Sequence, residues 1–305
     1  MKWYQKVIAV AGVLVVLVYI GCGGGSSSSN TGTLSLSLAD APLVDEENVT
    51  GVYITISAIE YHTEERGWET LDEFNTSVNP INLLEWQGGK SIWLGDFQLP
   101  AGKYTQMRFL LDAAEEKERP KSNTGCFIEI DDVNHTLYVP SGSETGFKAV
   151  GNYVVPVNGD VNITADFNVR KSIVKSGNGS YYKLKPTIKL VANNEAGTIR
   201  GTLGNLDSNS TYVVYAYEYI NGSSTWDSNE TNDPDPSDGV DERFGNAVTS
   251  SPVGEYGAYT LAYLAAGTYD LIVAKYDGNG EYVTYYMESA VVVESGKTTV
   301  FDWTL

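Results

Sequence analysis

Apolar residues recur at every second position along nearly all of this chain beyond residue 32. Leu34, Leu36 and Leu38 alternate with Ser and Thr. Val52, Ile54 and Ile56 repeat the pattern, and the phase then slips to Ile59 and Tyr61, as a β-bulge makes it do. Met107, Phe109 and Leu111 share one face against Gln106 and Arg108, and Val161, Ile163, Ala165, Phe167 and Val169 form another stripe. Leu184, Ile188 and Leu190 alternate with Lys185, Thr187 and Lys189. A period of two sends successive side chains to opposite faces of a pleated strand and does not suit a helix, whose period is near 3.6. The one helical signal is Asp112 to Arg119, two turns stopped by Pro120. The fold class expected is all-β, with two β-sandwich domains in tandem.

The joint between them falls at Ala192-Asn193-Asn194-Glu195-Ala196-Gly197, so residues 32–192 form the first domain and residues 196–305 the second. The second set of strands reads GTIRGTL, TYVVYAYEYI, YGAYTLAYL, TYDLIVAKY, YVTYYMESAVVV and TTVFDWTL, spaced as in a sandwich of about a hundred residues. One phrase recurs: Leu99-Pro100-Ala101-Gly102-Lys103-Tyr104 and Leu264-Ala265-Ala266-Gly267-Thr268-Tyr269. In each, a Gly turn delivers a Tyr into the start of a strand. The pattern predicts a corner pinned by an aromatic ring, its hydroxyl aimed at backbone.

Ahead of the strands, Lys2 and Lys6 precede an apolar run from Val7 to Ile20, shorter than the roughly 20 residues that span a bilayer. A short positive segment followed by such a run is the form of a secretory signal. Tyr19-Ile20-Gly21-Cys22 resembles a lipobox, with Tyr19 where Leu is usual. Residues 1–21 are therefore expected to be a signal peptide, with Cys22 the lipid attachment residue. The Gly/Ser stretch through residue 31 is then a flexible tether. Two acyl chains anchor stably where one does not, which makes the membrane a partner and the protein exported, facing the extracytoplasmic or cell-surface side. The alternative is a retained N-terminal anchor or an ordinary signal with an incidental Cys.

With 39 acidic and 20 basic residues the formal charge is −19, which argues against a nucleic-acid partner, since phosphates are bound by Lys and Arg. The other cysteine, Cys126 in Gly125-Cys126-Phe127-Ile128, lacks a disulfide partner once Cys22 is acylated, and reads as a buried small hydrophobe in a strand. Asn-x-Ser/Thr sequons begin at Asn48, Asn75, Asn134, Asn162, Asn178, Asn209, Asn221 and Asn229. They suit glycosylation of an exported chain in an archaeal or bacterial envelope, or arise by accident in an Asn- and Thr-rich β-protein.

The phrases GTLSLSLADAP, VYITISAIEYH followed by Trp68, INLLEW, LPAGKYTQMRF, ADFNVRKSIV and YYKLKPTIKLV occur in this order over residues 32–192. On them the first domain resembles the lipoprotein-associated domain of unknown function 4382. That implies an extracytoplasmic β-domain, often lipid-anchored, with no assigned reaction. Residues 197–305 are similar to carboxypeptidase regulatory-like, prealbumin-type sandwiches through GTIRGTL, Ala258-Tyr259-Thr260-Leu261 and the Leu264 to Tyr276 phrase. No sugar-binding residues carry over from that likeness.

Signs of catalysis are thin. His62 and His135 are the two histidines, both within strand-like sequence, and no nucleophile elbow, HExxH helix or phosphate loop is present. Glycoside hydrolysis needs only two carboxylates at a set separation, which keeps a carboxylate-dependent hydrolase of surface glycans as an alternative. Asp233, Asp235, Asp238 and Asp241 lie in a Pro- and Gly-punctuated loop, the kind of oxygen-rich segment that suits calcium, although the spacing is not that of an EF-hand. A solvated loop explains the same residues. Asp277-Gly278-Asn279-Gly280 reads as a hairpin turn. Of the 21 Tyr, three (Tyr215, Tyr217 and Tyr219) line one strand face and Tyr282, Tyr285 and Tyr286 lie on another. They suit carbohydrate stacking, a protein interface or a covered face of the core. The expected function is a cell-surface binding or scaffold protein contacting polysaccharide or an envelope protein, without catalysis. A self-assembling envelope component is a further alternative.

Overall fold

The computed structural model describes residues 30–41, 49–71, 74–119, 125–140, 146–176, 181–233 and 243–305. The leader, Cys22 and the Gly/Ser run lie outside them. The described chain is almost entirely β. Among the described residues no helix is long and apolar enough to cross a membrane.

The alternating stripes become strands that bury one face. Residues 30–192 form two sheets. The larger has eight strands in the spatial order Gly67–Thr70, Ile56–Thr63, Gly102–Leu111, Phe147–Val155, Ile188–Ala192, Asp160–Asn168, Thr31–Ala41 and Ile92–Pro100. Thr31–Ala41 runs parallel to Asp160–Asn168 and antiparallel to Ile92–Pro100, placing Leu34, Leu36 and Leu38 beside Val161, Ile163 and Ala165. The opposing sheet has seven strands, ordered Ile173–Ser176, Tyr181–Leu184, Val133–Val139, Phe127–Ile130, Val49–Ile54 and Ile81–Asn82, with Ala114–Glu115 against Val133–Val139. Leu34, Leu36, Leu38, Met107, Phe109, Ile163, Ala165 and Phe167 all lie in the single apolar cluster between the sheets. Burying such a side chain contributes about 1.5–3 kcal/mol for Leu, Ile or Phe. The phase slip near Ile56 is real: the register shifts between Ile56 and Ala58 where this strand pairs with Gly102–Leu111.

Residues 196–305 form a second pair of sheets. One holds Ala258–Ala265, Ala196–Gly204 and Thr298–Val300, with Trp303–Thr304 also paired to Ala196–Gly204. The other holds Ser223–Ser224, Thr211–Ile220, Gly267–Tyr276 and Tyr282–Val293, with Thr249–Pro252 on Thr211–Ile220. Ile199, Leu203, Val214, Leu261, Leu271 and Val273 fill the space between them.

The helix expected over Asp112–Arg119 is absent. Ala114–Glu115 pairs instead with Tyr138–Val139, and only Glu116–Glu118 makes a 3-10 turn, boxed by the Glu115 and Glu118 side chains. Eight residues cannot offset helix nucleation alone, and an open strand edge supplied better partners for the backbone. Cys126 is fully buried but sits one residue ahead of Phe127–Ile130. Burial pushes its thiol up to about 12, far from the thiolate needed for reactivity.

Both recurrent phrases form the predicted corner. The Tyr104 hydroxyl donates to the Pro100 carbonyl at 2.6 Å, and the Tyr269 hydroxyl donates to the Ala265 carbonyl at 2.9 Å. Each ring roofs its sheet while its hydroxyl holds the turn four residues back. Removing either hydroxyl by Tyr104→Phe or Tyr269→Phe is expected to cost about 1 kcal/mol in urea unfolding. Burial raises the Tyr269 hydroxyl to about 12. Its contribution is therefore complete below about pH 10, the ordinary tyrosine value, and is lost as the pH climbs toward the folded value. Stability of the Tyr269→Phe chain should fall less steeply across that interval.

Candidate functional site

Of the four aspartates placed in a calcium loop, Asp235, Asp238 and Asp241 lie outside the described residues. Asp233 is described, just beyond the 3-10 turn Ser228–Thr231. Among the described residues no three His, Cys, Asp or Glu side chains gather as a metal site. Asn48 and Asn178 are outside the described residues as well, while Asn75, Asn134, Asn162, Asn209, Asn221 and Asn229 are all exposed. His62 and His135 each meet an aromatic ring edge-on, Trp68 at 5.1 Å and Tyr182 at 5.6 Å. The turn at Asp277 forms as expected, with the Asp277 carboxylate accepting from the Asn279 and Glu281 amides.

The first tyrosine row is largely covered, whereas in the second Tyr282 and Tyr285 are half-buried and Tyr286 is exposed. In the first row Tyr215 and Tyr217 are buried, and only Tyr219, at 39% exposure, reaches solvent. What covers them is the return segment between Thr211–Ile220 and Thr249–Pro252. Phe244 stacks on Tyr215 at 4.5 Å and on Trp226 at 5.6 Å, while Trp226 meets Tyr217 and Tyr285 edge-on. The middle of Thr211–Ile220 is thus buried on both faces, with a second apolar cluster on its outer side. Glu230 organises the cover: its carboxylate accepts from the Tyr217 hydroxyl at 2.9 Å and from the Asn246 backbone and side-chain amides. Burial, reinforced by Glu230, drives the Tyr217 hydroxyl far above its ordinary range. Sequence periodicity registered the aromatic face but not the lid, because the lid residues are spaced irregularly along the chain.

The same segment carries a seam with the first pair of sheets. The short helix Val169–Ser172 follows Asp160–Asn168. It is held at its start by Asp40, which accepts from the Val169 amide at 3.0 Å, and by Asn168, which accepts from the Lys171 amide at 3.1 Å. Arg170 then donates through Nη1 to the Arg243 carbonyl and through Nη2 to the Phe244 carbonyl, both at 2.8 Å, with its guanidinium 5.2 Å from the Tyr215 ring centre. Lys171 Nζ donates to the Ala247 carbonyl at 2.9 Å. Burial, then repulsion from Arg170, pulls the Lys171 ammonium below its usual range. A second contact joins residues 88–90 to Ala258–Ala265. A Cβ on Gly89, where φ is +84°, would lie 3.2 Å from the Ala262 methyl, and the Tyr263 hydroxyl donates to the Gly89 carbonyl at 3.4 Å. The joint itself is pinned, with the Asn193 amide donating to Asn162 and the Asn193 side chain accepting from Thr164.

Among the clefts on the described surface, two lie at the ends of Thr31–Ala41. One, of about 310 Å³, lies in the seam, lined from one side by Glu85, Gln87 and Lys90 and from the other by Pro252, Gly254 and Thr260. The other, of about 550 Å³, lies between residues 62–66 and 100–105. There Tyr104 stacks on Tyr153 at 5.3 Å, and Asn30 accepts from the Ala101 amide at 2.7 Å. The larger cleft therefore sits beside Asn30, at the opposite end of Thr31–Ala41 from the seam.

A family model described as Domain of unknown function (DUF4382) matches residues 31–186, about half of the chain. The chain belongs to the DUF4382 family. The match takes in its first two sheets except the strand Ile188–Ala192, and Arg170 and Lys171 lie within it. No curated protein matches the chain. Among solved structures it is similar to a leucine-rich repeat protein from Bacteroides thetaiotaomicron, at 13% identity and TM-score 0.20, covering 91% of this chain and 26% of that one. It thus spans about a quarter of that protein's length. The minor pilin GBS52 of Streptococcus agalactiae matches at 12% identity and TM-score 0.20, covering 88% of this chain and 94% of the pilin. The major pilin BcpA of Bacillus cereus matches at 9% identity and TM-score 0.21, covering 90% and 99%. Scores this low do not establish a shared fold.

The seam of this DUF4382 protein makes two measurable claims. Arg170→Ala strands the Arg243 and Phe244 carbonyls and should destabilise the chain by about 2 kcal/mol, the scale of hydrogen bonds to a charged group, while exposing residues 193–196 to limited proteolysis. Nearby, half-buried Asp166 sits across from Ala39 and Lys189. Burial pushes its carboxyl up to about 6, against the opposing pull of Lys189. A raised carboxyl favours the folded chain while protonated, so its contribution is complete below about pH 4 and lost as the pH rises through about 6. Asp166→Asn should therefore stabilise the protein at pH 7, leave it unchanged at pH 4, and flatten the thermal unfolding profile between them.

Proposed function

We propose that this DUF4382 protein is an exported, lipid-anchored binding or scaffold protein of the cell surface, working by presenting a surface and not by catalysis. The observation that carries the proposal is the seam. Two cations of the DUF4382 domain, half-buried Arg170 and the more exposed Lys171, hold the turn at residues 243–247, and so bring side chains from both halves of the chain to one composite cleft. A hinge between independent modules would leave that cleft without fixed walls. Diacylglyceryl modification of Cys22 would hold the chain on a membrane, and ten extended tether residues reach about 35 Å. Thr31–Ala41 adds about 33 Å between the tether and the seam. The six exposed sequon asparagines suit a chain displayed outside the cell. The ligands in view are polysaccharide or an envelope protein, with calcium a candidate through the Asp233 to Asp241 loop.

A second reading, self-assembly, has one specific observation behind it. Tyr282–Val293 lies at the end of its sheet, free of Lys and Pro, with Val283, Met287 and Val292 at 50%, 41% and 54% exposure. Strand edges of that kind invite pairing unless blunted, although the bulge at Ala290 is one such blunting device.

The deciding experiment sediments the full chain, in detergent micelles, with insoluble polysaccharides and native envelope fractions, with calcium or with chelator. Retention in the pellet, weakened by Arg170→Ala, is the expected result. A chain that stays in every supernatant while forming dimers in analytical ultracentrifugation would transfer the proposal to self-assembly.

A further inference from the structure

Tyr256 is the most exposed large side chain among the described apolar and aromatic residues, at 88%, and its backbone is left-handed, with φ 60° and ψ 20°. A bulky residue adopts that conformation only when its surroundings impose it. The turn around it shows how. The Gly254 amide donates to the Ala258 carbonyl at 2.8 Å, and the Gly257 amide donates to the Gly254 carbonyl at 3.1 Å. Gly257, at φ +78°, approaches Ala196–Gly204 so closely that a Cβ would lie 2.2 Å from the Leu203 carbonyl oxygen. With its neighbours drawn onto that strand, Tyr256 is thrust outward. Its ring packs little and so returns no burial energy for the strained backbone. Strain of this kind clusters at ligand sites and switch regions.

The turn stands at the composite cleft. Gly254 and Ala258, on either side of Glu255–Gly257, both line it, and Tyr256 between them stands outside its walls. Opposite stand Glu85, Gln87 and Lys90, contributing one carboxylate, one amide and one ammonium. The cleft thus carries hydrogen-bond donors and acceptors of both kinds, with opposite charges at Glu85 and Lys90. At about 310 Å³ it lies at the small end of ligand sites, with the size of one or two sugar rings. A ligand that suits it has an apolar ring face for the tyrosine and a rim of hydroxyls that both donate and accept. A chain of formal charge −19 disfavours polyanions.

We propose that the cleft between the two halves binds a neutral hexopyranose chain, with Tyr256 as the stacking platform at its mouth. The proposal rests on the binding-protein reading above and gives it a ligand class and a site.

The test is affinity electrophoresis and titration calorimetry of the full chain in detergent micelles, with cellohexaose, maltohexaose and polygalacturonate as probes. Binding to at least one neutral hexamer is expected, weakened about tenfold by Tyr256→Ala and held within about threefold by Tyr256→Trp. Tyr256→Gly supplies the readout that a structural role would not give. It should lose binding like Tyr256→Ala while its unfolding temperature stays level or rises by about 2 °C, because glycine relaxes the left-handed turn. Unchanged affinity in Tyr256→Ala overturns the site, as does equal loss in Tyr256→Trp or a marked fall in the unfolding temperature of Tyr256→Gly. Binding to polygalacturonate alone overturns the ligand class. Failure with all three glycans, while envelope fractions still pellet the chain, overturns this proposal and leaves the binding-protein reading standing. Failure of both removes both.

Discussion

A guanidinium withdrawn from water must find acceptors fixed in place, or its burial is strongly unfavourable. Half-buried Arg170 finds them for its two terminal nitrogens in the Arg243 and Phe244 carbonyls, belonging to a segment more than seventy residues further along the chain. That demand organises much around it. Asp40 and Asn168 hold the short helix so that Arg170 and Lys171 point across the seam. On the receiving side, Phe244 adopts φ 58°, which keeps its ring on Tyr215 and Trp226 while its carbonyl meets Arg170. The aromatic lid and the seam therefore share one turn, and disturbing either should be felt by the other.

Tyrosine serves three physical ends in this chain. At Tyr104 and Tyr269 it closes a corner, since a ring can fill the core while its hydroxyl reaches a carbonyl at the rim. At Tyr215 and Tyr217 it builds a second apolar layer outside the sandwich, the hydroxyls satisfied by Tyr276 and Glu230. At Tyr256 neither packing nor a corner is involved, and the ring stands in solvent on a left-handed backbone. The same side chain thus passes from stabilising element to candidate ligand platform as its burial changes.

The positions of the two clefts follow from the strand Thr31–Ala41. Its first residues pair with the corner at Pro100, beside the larger cleft, and its last residues reach Asp40, which anchors the seam helix. One central strand therefore sets the separation between the larger cleft and the composite cleft.

By itself the sequence determined the strands and the corners. Alternation at Leu34–Leu38 and Ile163–Phe167 is a local property, because whichever sheet forms, one face of such a strand must leave water. The Gly-x-Tyr phrases are likewise local, since turn and ring lie four residues apart. Tyr256 and the seam could not be read in advance. Nothing about Tyr256 within its own neighbourhood marks it as exposed and left-handed; that follows from Gly257 meeting Leu203, more than fifty residues earlier. Arg170 and Lys171 look like surface cations beside a strand until the 243–247 turn arrives to accept their hydrogen bonds. The Asp112–Arg119 segment errs in the opposite sense, with helical preferences overruled by the open edge at Tyr138–Val139. Periodicity encodes which face is buried, whereas the identity of the covering partner is a contact between distant residues, and only the tertiary structure decided it.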